Sequence, residues 1–192
     1  QILATWDFVD NESDVYDDDT HGTMVLSTIG ANVPGEIIGT APGASYLLLR
    51  SENAPAENII EEYNWASAAE FADSAGADVI NSSLGYSRFD DSSQDHTYSD
   101  LDGNTTPVTQ AADFAASKGM VVCNSAGNEG NSSWFHISAP ADADSILAVA
   151  AVDPFSMYVQ FSGKGPSADG DVKPNVAAQG AQTIVSDPWS GV

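Results

Sequence analysis

Residues 120–130 read MVVCNSAGNEG, an apolar run followed directly by a turn of small residues. The apolar part, Met120–Asn124, contains β-branched residues and predicts a buried strand. Beyond it, Gly127 gives the chain access to backbone angles that other residues rarely adopt. The stretch therefore predicts a strand whose carboxyl end supports a tightly turned loop.

Other apolar runs alternate with segments of helical character. The other strand candidates are Tyr46–Arg50, Val79–Ser82 and Ile146–Val152. The helix candidates are a short segment after His21, the segment Asn58–Ala75 with apolar residues at helical spacing, and a segment from Thr106-Pro107 to about Lys118 that Gly119 ends. This alternation is typical of α/β proteins, so the sequence predicts a three-layer α/β/α fold with a mostly parallel sheet.

Charge and composition exclude several classes of function. The chain has 192 residues, of which 28 are acidic and five are basic, and its formal net charge is -23. Such a charge repels phosphate backbones, so nucleic acid is not an expected partner. No apolar run approaches the ~18 residues of a membrane span. The single cysteine, Cys123, cannot form an internal disulfide.

Four short segments, in one order, carry the chemical information in this sequence. They are Thr20-His21-Gly22-Thr23, Asn81-Ser82-Ser83-Leu84-Gly85, the run from Ser125 to Gly130, and Lys173-Pro174-Asn175-Val176-Ala177-Ala178. Taken alone, His21 reads as a surface histidine and Asn128 as an asparagine in an ordinary turn. Together and in this order, the four segments resemble the central portion of a subtilisin-like serine protease, a member of the subtilase family.

The resemblance implies a role for each matching residue. His21 corresponds to the general base, which takes the serine proton and later protonates the leaving amine. Asn128 corresponds to the side-chain donor of the oxyanion hole. Substrate binding is implied for two segments, Ser83-Leu84-Gly85 and Ser125-Ala126-Gly127, where an extended polypeptide is held by main-chain hydrogen bonds. The implied reaction is peptide-bond hydrolysis through an acyl-enzyme, without a catalytic cofactor.

Two parts of the expected catalytic triad have no counterpart in the sequence. The family's serine follows in a Gly-Thr-Ser segment, and its orienting aspartate precedes the histidine in an Asp-Thr-Gly or Asp-Ser-Gly segment; neither segment occurs here. Asp7 matches the stretch that follows that aspartate, and we expect Ser167 to be a surface loop residue. Residues 1–192 are therefore expected to be a partial catalytic domain that is inactive alone. Because it begins at Gln1, we expect it to be a processed or engineered product.

A partial domain of this kind has a physical consequence. In the family fold, the helix that carries the serine packs against the sheet, so its absence would leave apolar sheet surface uncovered. Uncovered apolar surface promotes association with a partner or with further copies. We therefore expect the isolated chain to self-associate.

Two other classes of protein fit parts of the sequence. A non-catalytic binding or scaffolding protein could keep the same frame, but it would have no chemical reason to retain both His21 and Asn128. A doubly wound nucleotide-binding domain requires a glycine-rich phosphate loop, and the sequence contains neither Gly-x-Gly-x-x-Gly nor a Walker motif.

The sequence bears on calcium binding and on localisation. The spacing of Asp100, Asp102 and Asn104 is similar to that of a calcium loop, but Gly103 does not stand where an EF-hand requires glycine, so a solvated loop is favoured. Structural calcium is common in the family, although no site is specified by the residues. The resemblance and the acidic composition together predict a secreted or cell-surface protein of bacterial origin.

Overall fold

The computed structural model describes residues 1–17 and 19–186, which form two compact units. One unit consists of Gln1–Arg50 with the residues from Gln182 onward, and the other of Ser51–Ala181. The first contains β1 (Ile2–Asp7), α1 (His21–Gly30), β2 (Asn32–Val33), β3 (Ile37–Ile38) and β4 (Tyr46–Arg50). The second contains α2 (Ile60–Ser74), β5 (Val79–Ser82), α3 (Pro107–Ser117), β6 (Val121–Ser125), β7 (Leu147–Val152) and β8 (Val176–Gln179).

In the first unit, β1 and β4 pair in parallel, and β2 and β3 form a short antiparallel ladder. The carboxyl ends of β1 and β4 are joined by a buried ion pair in which Arg50 Nη1 lies 2.5 Å from Asp7 Oδ2. Burial by itself raises the pKa of Asp7. Hydrogen bonds from the Asp10 amide, Arg50 and the Val9 amide outweigh burial, so the pKa lies below its usual value. Asp7 is thus held as a carboxylate that stabilises the strand end.

In the second unit, β5, β6, β7 and β8 form a parallel sheet in chain order. Helix α2 contacts the sheet through Trp65, whose indole nitrogen donates to Ser82 Oγ over 3.1 Å. Helix α3 begins where the sequence predicts, because Thr106 accepts a hydrogen bond from the Thr109 amide and Pro107 occupies the first turn. Beyond its end, Gly119 has φ +101°, a conformation that favours glycine.

The two faces of this sheet differ in exposure. On the helix-covered face, Val122, Asn124 and Ala148 are buried. Side chains alternate between the faces of a strand, so their neighbours point the other way. On that second face, four apolar residues are 40–58% exposed, namely Val79, Val121, Leu147 and Val176. Uncovered apolar sheet surface, which the sequence predicts for a partial domain, is therefore a feature of this structure.

The structure agrees with most of the predicted elements and corrects others. Strands β4 and β5 have the predicted bounds. Strands β6 and β7 both start one residue later than predicted, and β6 also ends one residue later. Strands β1 and β8 and the β2–β3 ladder were not predicted. The prediction that Ser167 is a surface residue is wrong, because its side chain is buried and donates to Asp169 Oδ1 over 2.5 Å. In the described ranges, every helix is too short or too polar to cross a membrane.

Candidate active site

The carboxyl ends of β5 and β6 bring the two predicted substrate-binding segments together. The strands pair in parallel, with Ser82 opposite Asn124 in the last position of the ladder. Ser83-Leu84-Gly85 continues from β5, and the turn at Ala126 and Gly127 continues from β6. Adjacent carboxyl ends of parallel strands are a common position for ligand-binding loops.

Backbone groups alternate in direction along the segment after β5. The Val121 amide donates to the Asp78 carbonyl, so every second residue from Asp78 onward directs its backbone groups toward β6. Leu84 continues this series, because its carbonyl accepts from Asn124 Nδ2 at 3.1 Å and from Ser125 Oγ at 3.3 Å. Ser83 and Gly85 face the opposite edge. Within residues 1–17 and 19–186, their amides and carbonyls have no backbone hydrogen-bond partner.

Two glycines let the segments approach the same side chain, Ser138. Gly127 has φ +87°, and a Cβ there would lie 2.6 Å from Ser138 Oγ. A Cβ at Gly85 would lie 2.9 Å from Ser138 Cβ. A larger residue at either position would therefore displace Ser138, which lies between the two segments. Ser138 could not be predicted from the sequence, because no motif marks it and its position depends on tertiary packing.

Asn128 lies exposed directly beyond Gly127. Its backbone amide donates to Glu129 Oε2 over 2.9 Å, and Ser138 Oγ donates to the same oxygen over 3.1 Å. Its side-chain amide has no hydrogen-bond partner among the described residues and so is free to donate to a ligand. Glu129, also missed as a site residue, fixes the turn that presents this amide.

His21 is the first residue of α1 and is exposed. Its backbone amide donates to Asp19 Oδ1 over 2.7 Å, whereas the N-cap residue Thr20 makes no side-chain cap. Asp19 therefore fixes the start of the helix that carries the imidazole. His21 belongs to the first unit, whereas the segments around Ser138 belong to the second.

A hydrogen bond from Tyr86 links the segment after β5 to a group of acidic residues. Tyr86, next to Gly85, donates its hydroxyl to Glu52 Oε1 over 2.5 Å. Burial raises the pKa of Glu52, although the hydrogen bonds from Tyr86 and Ser51 oppose this. Burial also raises the pKa of Glu57 to about 7, and the negative charges of four neighbours add to the effect, namely Glu61, Glu52, Asp90 and Glu129.

In the loop of Asp100, Asp102 and Asn104, hydrogen bonds from neighbouring residues of the same loop engage the carboxylates. Asp102 accepts hydrogen bonds from the Asn104 amide and from Thr105 Oγ1, and Asp100 accepts from Thr97. A different acidic group, Asp144, Asp169 and Asp171, has carboxylate oxygens within 4.8 Å of one another. All three residues are exposed, and these side chains alone do not define a metal site.

Comparison with known proteins places these features in a family. The sequence profile described as "Subtilase family" matches residues 2–192. The thermophilic serine proteinase of Bacillus sp. (strain AK1) is 33% identical over 172 residues, which are 88% of this chain and 38% of that protein. Subtilisin DY of Bacillus licheniformis is 35% identical over 168 residues, which are 86% of this chain and 55% of that protein. The chain thus spans 38–55% of the length of these relatives.

Solved structures show the same fold. The prenylagaramide maturation protease PagA superposes with a TM-score of 0.69 at 23% identity, over 88% of this chain and 55% of that one. The self-cleaved protease domain of PatA has the same TM-score at 22% identity, over 98% of this chain and 62% of that one. These likenesses confirm the predicted α/β/α fold with a mostly parallel sheet.

Proposed function

The chain belongs to the subtilase family, and from this premise we propose that it is the central portion of a serine endopeptidase that hydrolyses peptide bonds through an acyl-enzyme. The observation that carries the proposal is that, among the described residues, the side-chain amide of Asn128 and the main-chain groups of Ser83 and Gly85 have no hydrogen-bond partner, while Gly127 and Gly85 both approach Ser138. An extended polypeptide would add to this free main-chain edge as a further strand. Its scissile carbonyl would lie within reach of an amide donor.

In this proposal each residue has a defined task. His21 accepts the proton of the nucleophilic serine and returns it to the leaving amine. Asn128 donates to the oxyanion as negative charge develops on the carbonyl oxygen. Ser83, Leu84 and Gly85, with the facing segment of Ser125, Ala126 and Gly127, hold the substrate main chain. Asp7 and Ser167 are not assigned to the triad. Asp7 accepts a hydrogen bond from Arg50, and Ser167 donates its hydroxyl to Asp169.

We expect replacement of Asn128 by alanine to lower kcat by about 10²–10³ with a small change in KM, because the lost hydrogen bond strengthens in the transition state. The measurement is peptide hydrolysis by the full-length protein that carries this chain. Asn131→Ala, an exposed substitution in the same loop, is the control and should retain the wild-type rate. Equal kcat values for both variants would remove Asn128 from the site.

The alternative is a binding or scaffolding protein built on the same frame. Turnover and peptide affinity of the His21→Ala variant distinguish this alternative from a protease. A protease loses turnover but keeps its affinity for an extended peptide, whereas a binding protein shows no turnover before or after the change.

The wider setting is proposed on the same basis. Relatives from Bacillus species support a bacterial protein that is secreted or held at the cell surface, which fractionation of the source cells would test. The proposed chemistry requires no metal. Structural calcium remains a prediction without an assigned site, and a Tm that falls on addition of a chelator would support it.

A further inference from the structure

Asn124 occupies an unusual position for a buried amide. The residue is 1% exposed and lies in the last ladder position of β6, opposite Ser82. Its Nδ2 donates to the Leu84 carbonyl at 3.1 Å and to the Ser125 carbonyl at 2.8 Å. One NH₂ group therefore links the two main chains just beyond the point where their ladder ends.

The chemistry of this link requires an amide. The ladder between β5 and β6 ends at Ser82 and Asn124, because β6 turns away at Gly127. Beyond this point, the carbonyls of Leu84 and Ser125 accept from the side chain of Asn124 instead of from backbone amides. A single NH₂ carries two hydrogens and can satisfy both carbonyls at once. Aspartate has the same shape but offers only acceptors, and alanine offers nothing. The hydroxyl of Ser125 adds a weaker second bond to Leu84 at 3.3 Å.

The link leaves an acceptor unsatisfied. Asn124 Oδ1 is buried and has no hydrogen-bond partner among the described residues. Leaving a buried acceptor without a hydrogen bond is destabilising, so the presence of one requires an explanation. Here, the orientation that uses both amide hydrogens on carbonyls leaves Oδ1 without a donor.

We propose that Asn124 is a positioning residue that fixes the separation of the two substrate-binding segments and, through Leu84, the direction of the free edge at Ser83 and Gly85. This inference rests on the proposed function. By holding the Leu84 carbonyl toward β6, Asn124 directs the backbone groups of its two neighbours outward, where an extended peptide binds. Asn124 itself touches neither the substrate nor the reacting atoms.

The test compares a long substrate with a minimal one in the full-length protein. Succinyl-Ala-Ala-Pro-Phe-p-nitroanilide needs the main-chain edge, whereas p-nitrophenyl acetate needs only the reacting groups. We expect Asn124→Asp to raise KM for the peptide about tenfold or more, with ester hydrolysis within about threefold of wild type. Ser125→Ala, which removes only the weaker bond, should raise KM about two- to threefold.

Thr109→Val is the matched control for stability. Thr109 lies on helix α3, and the substitution removes the buried hydrogen bond that Thr109 Oγ1 donates to Asp142 Oδ1. It should lower Tm without changing the ratio of peptide to ester activity. An Asn124→Asp variant that folds and shows the wild-type ratio would overturn the proposal. If Asn124→Asp fails to fold, Asn124→Ala, which removes both hydrogen bonds without adding a charge, takes its place, and a wild-type ratio of peptide to ester activity in that variant would overturn the proposal.

Failure of the proposed function gives a different result. If the wild-type protein hydrolyses neither compound, the protease assignment fails, and the affinity of a fluorescein-labelled casein peptide becomes the readout. Weaker peptide binding by the folded variants, with wild-type affinity in Thr109→Val, would still support Asn124 as a positioning residue. Equal affinities in all the proteins would reject it.

Discussion

At the scale of single residues, the site is organised by donors that share one acceptor. Glu129 Oε2 accepts from both the Asn128 amide and Ser138 Oγ, and the Leu84 carbonyl accepts from Asn124 and Ser125. Two donors on one oxygen restrict a loop more than a single hydrogen bond does. The loops at the ends of β5 and β6 are therefore held before any ligand arrives, which lowers the entropy cost of binding.

Glu57 provides a prediction at the same scale. Its pKa is raised from an ordinary value of 4.5 to about 7, so the folded protein retains a proton that the unfolded chain has already lost. The contribution of Glu57 to stability should therefore fall as pH rises from about 4.5 to 7 and then level off. We expect Glu57→Gln to raise Tm relative to wild type at pH 8 and to leave it nearly unchanged at pH 4.

Thermal melts at the two pH values provide the measurement. Glu70→Gln, on the exposed side of α2, is the control for the loss of one carboxyl group, and the Tm change of Glu57→Gln is compared with that of Glu70→Gln at each pH. A Glu57→Gln variant with the same Tm difference at pH 4 and pH 8 would show that Glu57 ionises as it does in the unfolded chain.

At the scale of elements, the sequence predicted the central strands and helices and missed the marginal ones. The central strands β6 and β7 lie in apolar runs with clear ends. The β2–β3 ladder has two residues in each strand and shows no period. Strand β8 is exposed along its length, so burial does not shape its sequence.

The candidate site also contains residues that sequence motifs mark and residues that only the folded structure reveals. Family motifs mark Asn128 and the two substrate-binding segments in the sequence, and their roles stay predictions. Ser138, Glu129 and Asn124 could not be predicted, since their roles arise only when distant segments pack together. The wrong prediction for Ser167 has the same cause, because burial of a loop serine depends on the contacts that cover it.

Helix α3 allows a prediction for a single element. Thr106 is buried, and its hydroxyl accepts from the Thr109 amide and donates to Thr109 Oγ1 over 2.8 Å. Thr106→Ala should reduce the free energy of unfolding by about 1–2 kcal/mol, because the first turn loses its cap. Thr106→Ser keeps the hydroxyl and should recover most of this loss. Urea denaturation of the three proteins tests the cap, and equal losses for alanine and serine would assign the effect to packing instead.

At the scale of the whole molecule, charge and apolar surface oppose each other. The net charge of -23 keeps copies of the chain apart, whereas the exposed sheet face favours association. Salt screens the charge with a Debye length of about 10 Å at 0.1 M but does not weaken apolar contact. Association of the isolated chain should therefore increase with ionic strength.

Sedimentation velocity at low and high salt tests this expectation. A variant with Val121→Lys and Leu147→Lys places two charges on the exposed sheet face and should remain monomeric at salt concentrations where the wild-type chain associates. Phe155→Lys is the control, because Phe155 is 83% exposed outside the sheet. A monomeric wild-type chain at every salt concentration would contradict the prediction.

The free edge at Ser83 and Gly85 has a consequence for how targets would be chosen. Main-chain groups are the same in nearly every residue, so an edge of this kind distinguishes conformations more than sequences. In a folded target, helices and sheets already use their amides and carbonyls internally. If the proposed protease function holds, susceptibility to cleavage would follow how readily a target protein unfolds locally, and loosely folded proteins would be cleaved before compact ones.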